Sequence, residues 1–461
     1  MFGNKSKETR KCAEEKTFSD ETKKKIGVLE ERIRQYTPHF YHSAPLMRIP
    51  ISSENNNQDI VEMDIRDIFL AAAIAKTNVL VVGESGNGKT EMALSLAKAL
   101  FGEDGTSNLV ITPDLAMSKL VDMDFSPLLR GGSLSDTQKC GRLITTPATV
   151  FDELNRAPPQ AISILQSYLD GNRRINLEGG ASIVPGKPIG DKYYKWIVGT
   201  ANPQRDGYVG TFETDKAISD RFPITIPWDM FPQTSNDEFN MMLNNRFSDS
   251  RNAPKDGLFE EVKDLYMTIN SDGIEVSALA TSVVWYFAHK DHCYRALGSG
   301  KKTEIHGFTP GRTCKGCKAS AANSEICGNV GGISNRALLH MIPFSKAIAA
   351  IKAYKADSPV IKVGPEDVKA VAPFILYGGK MRIEEGWIEN YASGPEQNAP
   401  SLWRAIEKAV EIMSNTALLD TVVLSKNPDR DTHLKILESS PASCQIEDVV
   451  KYARELENLR R

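Results

Sequence analysis

The sequence predicts an α/β fold, with a parallel β-sheet between layers of helices, followed by a mostly helical part. Three observations predict it. An apolar run at residues 78–82 leads through a glycine-rich loop into a helix-like stretch at 91–100. Further apolar runs alternate with helical patterns up to about residue 230, and such alternation favours a parallel sheet covered on both faces. Beyond residue 230, helical patterns dominate.

These patterns divide the chain into four segments. Residues 1–45 are rich in Lys and Glu, and we expect a charged, helical N-terminal appendage that is solvated or binds a partner. The α/β core is predicted to cover residues 46–230. A helical part is predicted over residues 231–425, with a cysteine-rich insertion at 290–330, and a helical C-terminal tail over residues 426–461.

The spacing of apolar residues predicts the individual elements. In the first half of the chain it predicts helices at 20–36 and 61–75. The predicted strands are 78–82, 108–111, 148–151 and 195–199. The predicted helices of the second half are 278–289, 335–353, 365–376 and 402–414.

From the composition and from the lack of apolar targeting segments, we expect a cytoplasmic globular protein. Of its 461 residues, 41% are hydrophobic and 25% are charged, which is enough to build a core. The net charge of −3 gives no overall attraction to nucleic acid or membranes. No apolar run approaches the roughly 20 residues of a membrane span, and the charged start lacks the apolar centre of a signal peptide. Seven cysteines, an odd number, argue against a disulfide framework.

The glycine-rich loop after the first strand predicts a phosphate site. It fits the pattern G-x-x-x-x-G-K-[ST] and reads Gly83-Glu84-Ser85-Gly86-Asn87-Gly88-Lys89-Thr90. Between a strand and a helix, such a loop points successive backbone N–H groups at one anion. Lys89 would reach the β- and γ-phosphates, and Thr90 would bind Mg²⁺. We therefore expect ATP and Mg²⁺ as cofactors, with a chance match to the pattern as the alternative.

An acidic pair follows the third predicted strand. Asp152 can hold Mg²⁺, and Glu153 can act as general base towards the attacking water. The alternative is a pair of charges at the start of a helix, since Pro158 and Pro159 follow closely.

The same residues carry a family resemblance. The run at 152–159 reads D-E-L-N-R-A-P-P, and it resembles the signature D-E-x-N-R-A-P-P of the MoxR family of AAA+ ATPases. These proteins are related to magnesium chelatase and to minichromosome-maintenance motors, in the clade with a hairpin-like insert in the second helix. Residues 172–191 resemble that insert. The resemblance covers about residues 60–380, with the motifs in the order of the family, and implies a parallel-sheet AAA+ core followed by a helical lid.

The resemblance also implies roles for three residues. Asn202, in the run G-T-A-N-P, corresponds to sensor 1, although an Asn-Pro turn explains the same residues. Arg221, in S-D-R-F, corresponds to an arginine finger offered to the neighbouring subunit, with a surface ion pair as the alternative. Arg336, in G-I-S-N-R-A-L-L, corresponds to sensor 2, and Asn335 stands where the family usually has Pro. Whether Arg336 acts within its own subunit stays open.

Four cysteines are close together in the predicted lid. They have the spacing C-x₂₀-C-x₂-C-x₉-C and are Cys293, Cys314, Cys317 and Cys327. Four thiolates can hold a structural Zn²⁺ in tetrahedral geometry, and C-x-x-C is a common ligand pair. His289, His292 or His306 could replace one cysteine. Reduced free cysteines and a redox pair at Cys314 and Cys317 are the alternatives.

The resemblance implies an ATP-driven ring, expected to be a hexamer, that acts as a chaperone. It would remodel or mature a separate protein partner, such as one with a von Willebrand A domain. The first alternative is a nucleic-acid-translocating motor, with Arg173, Arg174 or Arg205 in the pore. The second is a ring that binds nucleotide as a structural switch, and the presence of Glu153 argues against it.

Overall fold

A computed structural model gives the structure of the protein. It describes residues 20–37, 44–51, 59–115, 130, 141–170, 174–176, 182–203, 216–231, 234–244, 254–271, 274–289, 330–390 and 399–425.

The strands in chain order are β1 Met47–Pro50, β2 Ile60–Met63, β3 Val79–Val82, β4 Thr106–Val110, β5 Ala148–Asp152, β6 Ile175–Asn176, β7 Ser182–Ile183, β8 Lys187–Ile189, β9 Lys192–Tyr194, β10 Trp196–Ala201, β11 Ile224–Pro227, β12 Glu275–Val276, β13 Val330–Ile333, β14 Lys362–Val363 and β15 Met381–Ile383.

The helices are α1 Asp20–Tyr36, α2 Ile65–Ile74, α3 Lys89–Gly105, α4 Arg142–Thr145, α5 Pro159–Leu169, α6 Lys216–Ser219, α7 Ser235–Asn244, α8 Phe259–Asn270, α9 Ala278–His289, α10 Asn335–Leu338, α11 Met341–Lys355, α12 Pro365–Leu376, α13 Glu385–Glu389 and α14 Ala399–Ser425. Short 3₁₀ helices occupy Leu154–Arg156 and Trp228–Met230.

A parallel sheet with the strand order β11-β3-β10-β5-β4 forms the centre of the described core. In its register, Val82 lies opposite Ala201 on one side and Pro227 on the other, while Val110 lies opposite Asp152. The carboxyl ends of the strands therefore reach one common edge. The predicted α/β fold with a parallel sheet is confirmed, and each predicted strand corresponds to an observed one. Sequence analysis missed β11, a four-residue strand that ends in proline.

Both faces of the sheet are covered. On one face Trp196 is fully buried, and its ring meets Phe69 edge-on at 6.1 Å between centroids. On the other face Phe151 meets Tyr168 of α5 edge-on at 5.9 Å. Burial on both sides explains why the central strands are continuous apolar runs without alternation.

The predicted helix at 61–75 is in fact a strand followed by a helix. Residues Ile60–Met63 pair antiparallel with β1, and their side chains alternate between exposed and buried. Helix α2 begins after Asp64, whose carboxylate accepts from the backbone N–H of Arg66 and Asp67. This cap satisfies N–H groups that would otherwise lack partners, and so it fixes the start of the helix.

Helix α1 packs against the core and is not the solvated or partner-binding appendage that its charge predicts. Its apolar residues Ile26, Leu29 and Ile33 are at most 1% exposed and join the main hydrophobic core. Lys25 pairs with Asp264 of α8 at 2.8 Å. The helical spacing predicted the apolar face correctly, but local sequence does not show which surface covers that face.

The helical part contacts the core through polar contacts, two of which involve buried groups, as well as through apolar packing. Lys355 of α11 pairs with the buried Asp67 of α2 at 2.5 Å. The Nζ of Lys380, also buried, donates to the Pro223 carbonyl at 3.1 Å and to Thr225 Oγ1 at 2.6 Å. Burial lowers the pKa of Lys380 to about 7. The helical part thus lies against both the sheet and the helix that precedes it.

The inserts are described only in part. Strands β6 and β7 pair antiparallel directly after α5, as expected for a hairpin-like insert. Among the described residues, no helix has the length and apolar character needed to cross a membrane. The predicted cysteine cluster and the tail at 426–461 lie outside the described residues.

We expect Leu29→Ala to lower the free energy of unfolding by about 2–5 kcal/mol, because it leaves a cavity where α1 meets the core. The matched control is Val28→Ala on the same helix, since Val28 is 38% exposed. That change should stay within about 0.5 kcal/mol. Urea unfolding followed by far-UV circular dichroism measures both. Equal, small effects would show that α1 does not pack as described.

Candidate active site

Four strand ends bring the candidate residues to one edge of the sheet. Because β3, β5, β10 and β11 are parallel and end within one residue of one another, the residue after each strand lies at that edge. These residues are Gly83, Glu153, Asn202 and Trp228. Ligands of open α/β sheets bind at the carboxyl ends of the strands.

The phosphate loop has the backbone that its glycines predict. Gly86 and Gly88 have φ values of 86° and 76°, in the left-handed region that favours glycine. Gly88 is the N-cap of α3, so Lys89 and Thr90 form the first turn of that helix. The loop therefore presents the positive end of a helix dipole at the sheet edge, and an anion is stabilised there.

Lys89 links the loop to the end of β10. Its Nζ donates to the Glu84 carbonyl at 2.5 Å and to Asn202 Oδ1 at 3.3 Å. Lys89 is buried, with 7% of the residue's surface exposed. Burial lowers the pKa of Lys89, and the carboxylates of Asp229 and Asp152 partly offset this. Both hydrogen-bond acceptors are neutral, so a bound phosphate would supply the charge that stabilises the ammonium.

Oxygen atoms suited to Mg²⁺ converge on Asp152. Its Oδ1 accepts from Thr90 Oγ1 at 2.6 Å and from Thr200 Oγ1 at 2.5 Å. Carboxylate and hydroxyl oxygens match the preference of Mg²⁺ for hard ligands. The residues present therefore fit a magnesium ion, held by Thr90 and Asp152 together with phosphate oxygens.

Glu153 has an unusual backbone. Its φ and ψ are 58° and 44°, in the left-handed region, which costs an L-residue roughly 1–2 kcal/mol. Its N–H donates to Thr200 Oγ1 at 3.1 Å, and its carboxylate pairs with Arg156 at 3.2 Å. Strained backbone of this kind often occurs at functional sites. The turn directs the chain away from the strand immediately after the acidic pair.

Asn202 is supported by Asn155. The Asn202 N–H donates to Asn155 Oδ1 at 3.4 Å, and Asn155 Nδ2 donates to the Asn202 carbonyl at 3.5 Å. Asn202 is 7% exposed and Asn155 is 3% exposed. The pair fixes the end of β10 beside the turn that contains Glu153, and leaves Asn202 Oδ1 for Lys89.

The two candidate arginines lie at the opposite edge. Asn78, which precedes β3, donates from Nδ2 to the Arg221 carbonyl at 3.3 Å. The Arg221 guanidinium forms an ion pair with both oxygens of Asp170, at 2.8 and 3.1 Å, so Arg221 has a partner within its own chain, as the ion-pair alternative expects. Arg336 approaches the same carboxylate at 3.5 Å. The structure therefore brings Arg221 and Arg336 together, away from the phosphate loop.

Sequence analysis gave no role to three residues that touch the site. Thr200 bonds to both members of the acidic pair. Asp229 accepts from the Glu84 N–H at 2.8 Å and from Asn87 Nδ2 at 2.9 Å. Trp228 Nε1 donates to the Asn87 carbonyl at 2.8 Å. No motif marks Trp228 or Asp229, because their contacts join parts of the chain more than 140 residues apart.

The remaining predicted residues are either exposed or outside the described part of the chain. Ser85 is exposed at the tip of the loop. Arg174 is exposed beside β6, whereas Arg173 and Arg205 lie outside the described residues. The zinc prediction is not tested, because Cys293, Cys314, Cys317 and Cys327 lie outside them too. Within the part of the chain that the structure describes, no three His, Cys, Asp or Glu side chains group to hold a metal.

Comparisons with a family model and with a solved structure support the fold described above. Residues 78–222 match the family model for the AAA domain of the dynein-related subfamily. A crystal structure of a protein from Cytophaga hutchinsonii, described as a candidate ATPase, resembles the chain with a TM-score of 0.54. Their identity is 17%, and the match covers 85% of this chain and 94% of that one, which shows a shared fold. Among curated proteins no sequence matches. Residues 78–222 therefore form an AAA-type domain with a central parallel sheet.

Proposed function

We propose that the protein hydrolyses ATP to ADP and phosphate as a ring of identical subunits, of the MoxR type. One observation carries the proposal. Lys89, Asp152 and Asn202 meet at the carboxyl edge of the sheet, whereas Arg221 and Arg336 lie at the amino edge. Each subunit thus has two parts of one active site, on opposite sides of its sheet.

Each residue at the carboxyl edge has its own role in ATP hydrolysis. The loop N–H groups and Lys89 bind the β- and γ-phosphates. Mg²⁺, when held by Thr90 and Asp152, supplies positive charge against the phosphate oxygens. Glu153 accepts the proton of the attacking water, and Asn202 orients that water. The hydrogen bond from Lys89 to Asn202 Oδ1 joins the proposed sensor residue to the phosphate loop.

The position of Arg221 argues for action between subunits. Its carbonyl is bonded to Asn78, which precedes β3, whereas Gly83 follows β3. Four strand residues span about 13 Å, and the guanidinium is held by Asp170. Arg221 therefore serves the nucleotide of a neighbouring copy, where a guanidinium stabilises charge on the γ-phosphate. Arg336 shares Asp170 and would serve the same nucleotide.

The work done with this energy is proposed from the family resemblance. A MoxR-type ring, expected to be a hexamer, would remodel or mature a separate protein, such as one with a von Willebrand A domain. Zinc bound by the four cysteines of the insertion would stabilise a glycine- and lysine-rich stretch that has little apolar content. Failure of both DNA and RNA to stimulate ATP turnover would separate this function from nucleic-acid translocation.

Two substitutions test the carboxyl-edge half of the site. Lys89→Ala should abolish ATP binding, because it removes the charge that meets the phosphates. Glu153→Gln should still bind ATP but turn it over at least about 100-fold more slowly, since general base catalysis is lost. Binding of a fluorescent ATP analogue and phosphate release measure the two effects. The control is Lys98→Ala, further along α3 and paired with Glu103. Wild-type turnover by Glu153→Gln would instead support a nucleotide-dependent switch.

A third substitution tests the amino-edge half. Arg221→Ala should lower turnover by about 10³-fold or more while ATP binding is kept, because the arginine stabilises the transition state. Arg382→Ala, at a side chain that is 75% exposed, is the matched control and should leave turnover unchanged. Full activity of Arg221→Ala in the assembled ring would rule out its role as the finger.

The zinc proposal predicts close to one zinc per chain by elemental analysis of the purified protein. Replacing Cys314 and Cys317 together by Ser should remove the metal, because a tetrahedral site loses half of its ligands. Cys12→Ser is the control, since Cys12 lies far from the cluster in sequence. Metal-free protein with four reactive thiols in that cluster would contradict the proposal.

A further inference from the structure

A short segment after β11, residues 228–231, contacts both the phosphate loop and the helical part of the molecule. We call it the 228–231 segment. It begins with the 3₁₀ helix Trp228–Met230 and ends at Phe231. It follows directly from a strand of the central sheet, and its position is therefore fixed at the level of the other strand ends.

On one side the 228–231 segment holds the loop at two places. Asp229 accepts from the Glu84 N–H at 2.8 Å and from Asn87 Nδ2 at 2.9 Å. Trp228 Nε1 donates to the Asn87 carbonyl at 2.8 Å. The contact is close, since a Cβ at Gly83 would lie 2.7 Å from the Trp228 Cβ. Glycine at position 83 is therefore required by the close approach of this segment.

On the other side the segment enters an aromatic cluster of the helical part. The Phe231 ring stacks near Phe374 of α12, with centroids 6.2 Å apart, and meets Trp403 of α14 edge-on at 5.5 Å. Trp403 also meets Phe374 at 4.9 Å and Tyr377 at 5.7 Å. Trp403 is 4% exposed. Movement of α12 or α14 would therefore move Phe231.

The charge of Asp229 connects the two sides. The pKa of Tyr377 rises to about 12, through burial and then through the nearby Asp229 carboxylate. The same carboxylate opposes the loss of the proton from Lys89. Asp229 thus lies between the aromatic cluster and the phosphate loop, within electrostatic range of both.

We propose that Asp229 is a positioning residue that fixes the phosphate loop in its triphosphate-binding shape, and that the 228–231 segment transmits the position of α12 and α14 to the loop. The inference rests on the proposed binding of ATP by this loop. It adds a path through which the helical part regulates nucleotide affinity.

The geometry favours a positioning role over a metal-binding one. Both Asp229 oxygens accept hydrogen bonds from nitrogen donors, whereas Asp152 faces hydroxyl groups. A loop whose glycines adopt positive φ loses much conformational freedom when it is ordered, so bonds that order it beforehand favour ligand binding. A carboxylate near a polyanion also repels it, and its charge by itself would weaken ATP binding.

The hydrogen bonds of Asp229 should strengthen ATP binding, whereas its negative charge should weaken it. Substitutions can separate these two effects. Asp229→Ala removes both hydrogen bonds and should weaken ATP binding by about 10- to 100-fold, as expected for loss of charge-assisted bonds. Asp229→Asn can keep both bonds if the Asn87 amide turns over, and it removes the charge. We expect its affinity to equal or exceed that of the wild type. Asn87→Ala removes one bond and should fall between Asp229→Ala and the wild type.

Isothermal titration of the full chain with ATP and Mg²⁺ measures these affinities, with Asp191→Ala, an exposed position, as control. Wild-type affinity in Asp229→Ala, or equal losses in Asp229→Ala and Asp229→Asn, would overturn the positioning role. If Asp229→Ala fails to fold, the ATP affinities of Asn87→Ala and Asp229→Asn still test the positioning role. If the wild type itself binds no ATP, the proposed function fails, which is a different result.

The path from the helical part has its own test. The Trp403→Leu substitution lies outside the phosphate loop, but it removes the ring contact that holds Phe231 in place. We therefore expect it to weaken ATP binding. The matched control is Trp387→Leu in α13, where a tryptophan that is 5% exposed is also replaced. Thermal unfolding of both variants shows that equal folded fractions are compared. Equal ATP affinities in Trp403→Leu and Trp387→Leu would exclude transmission through the 228–231 segment.

Discussion

The alignment of the carboxyl ends of β3, β5, β10 and β11, which lie within one residue of one another, is the constraint on which the rest of the structure depends. Parallel pairing in this register places Ala201 and Pro227 beside Val82, so the next residue of each strand reaches the same edge. A shift of one residue would turn each side chain to the other face of the sheet. The bond from Lys89 to Asn202 and the bonds from Thr90 and Thr200 to Asp152 exist because of that register.

The same sheet separates the arginines from the phosphate loop. Asn78 and Gly83 bound β3, and Arg221 is bonded at the Asn78 end. Asp170, which ends the returning helix α5, gathers Arg221 and Arg336 at that edge. In the proposed ring, a subunit built in this way would carry the two halves of the proposed site on opposite sides. Closed rings join such unlike surfaces head to tail.

Much of the core could be predicted from local sequence, because its signals are local. A phosphate loop requires Gly86 and Gly88 for positive φ, and buried strands require apolar runs. Contacts that join distant parts of the chain could not be predicted. The bond from Glu84 to Asp229 spans 145 residues, and the ion pair of Lys25 in α1 with Asp264 in α8 spans 239 residues. Strand β2 was missed because its four residues continue the apolar pattern of α2.

A mixed ring tests whether the site is shared between subunits. Subunits carrying Arg221→Ala keep Glu153, and subunits carrying Glu153→Gln keep Arg221, so each alone should be nearly inactive. When the two are assembled together, some interfaces pair an intact base with an intact arginine from the neighbour. If Arg221 acts on the nucleotide of the neighbouring subunit, ATP turnover of the mixture should rise well above that of either variant. Turnover equal to the mean of the two inactive variants would show that Arg221 does not act across the interface.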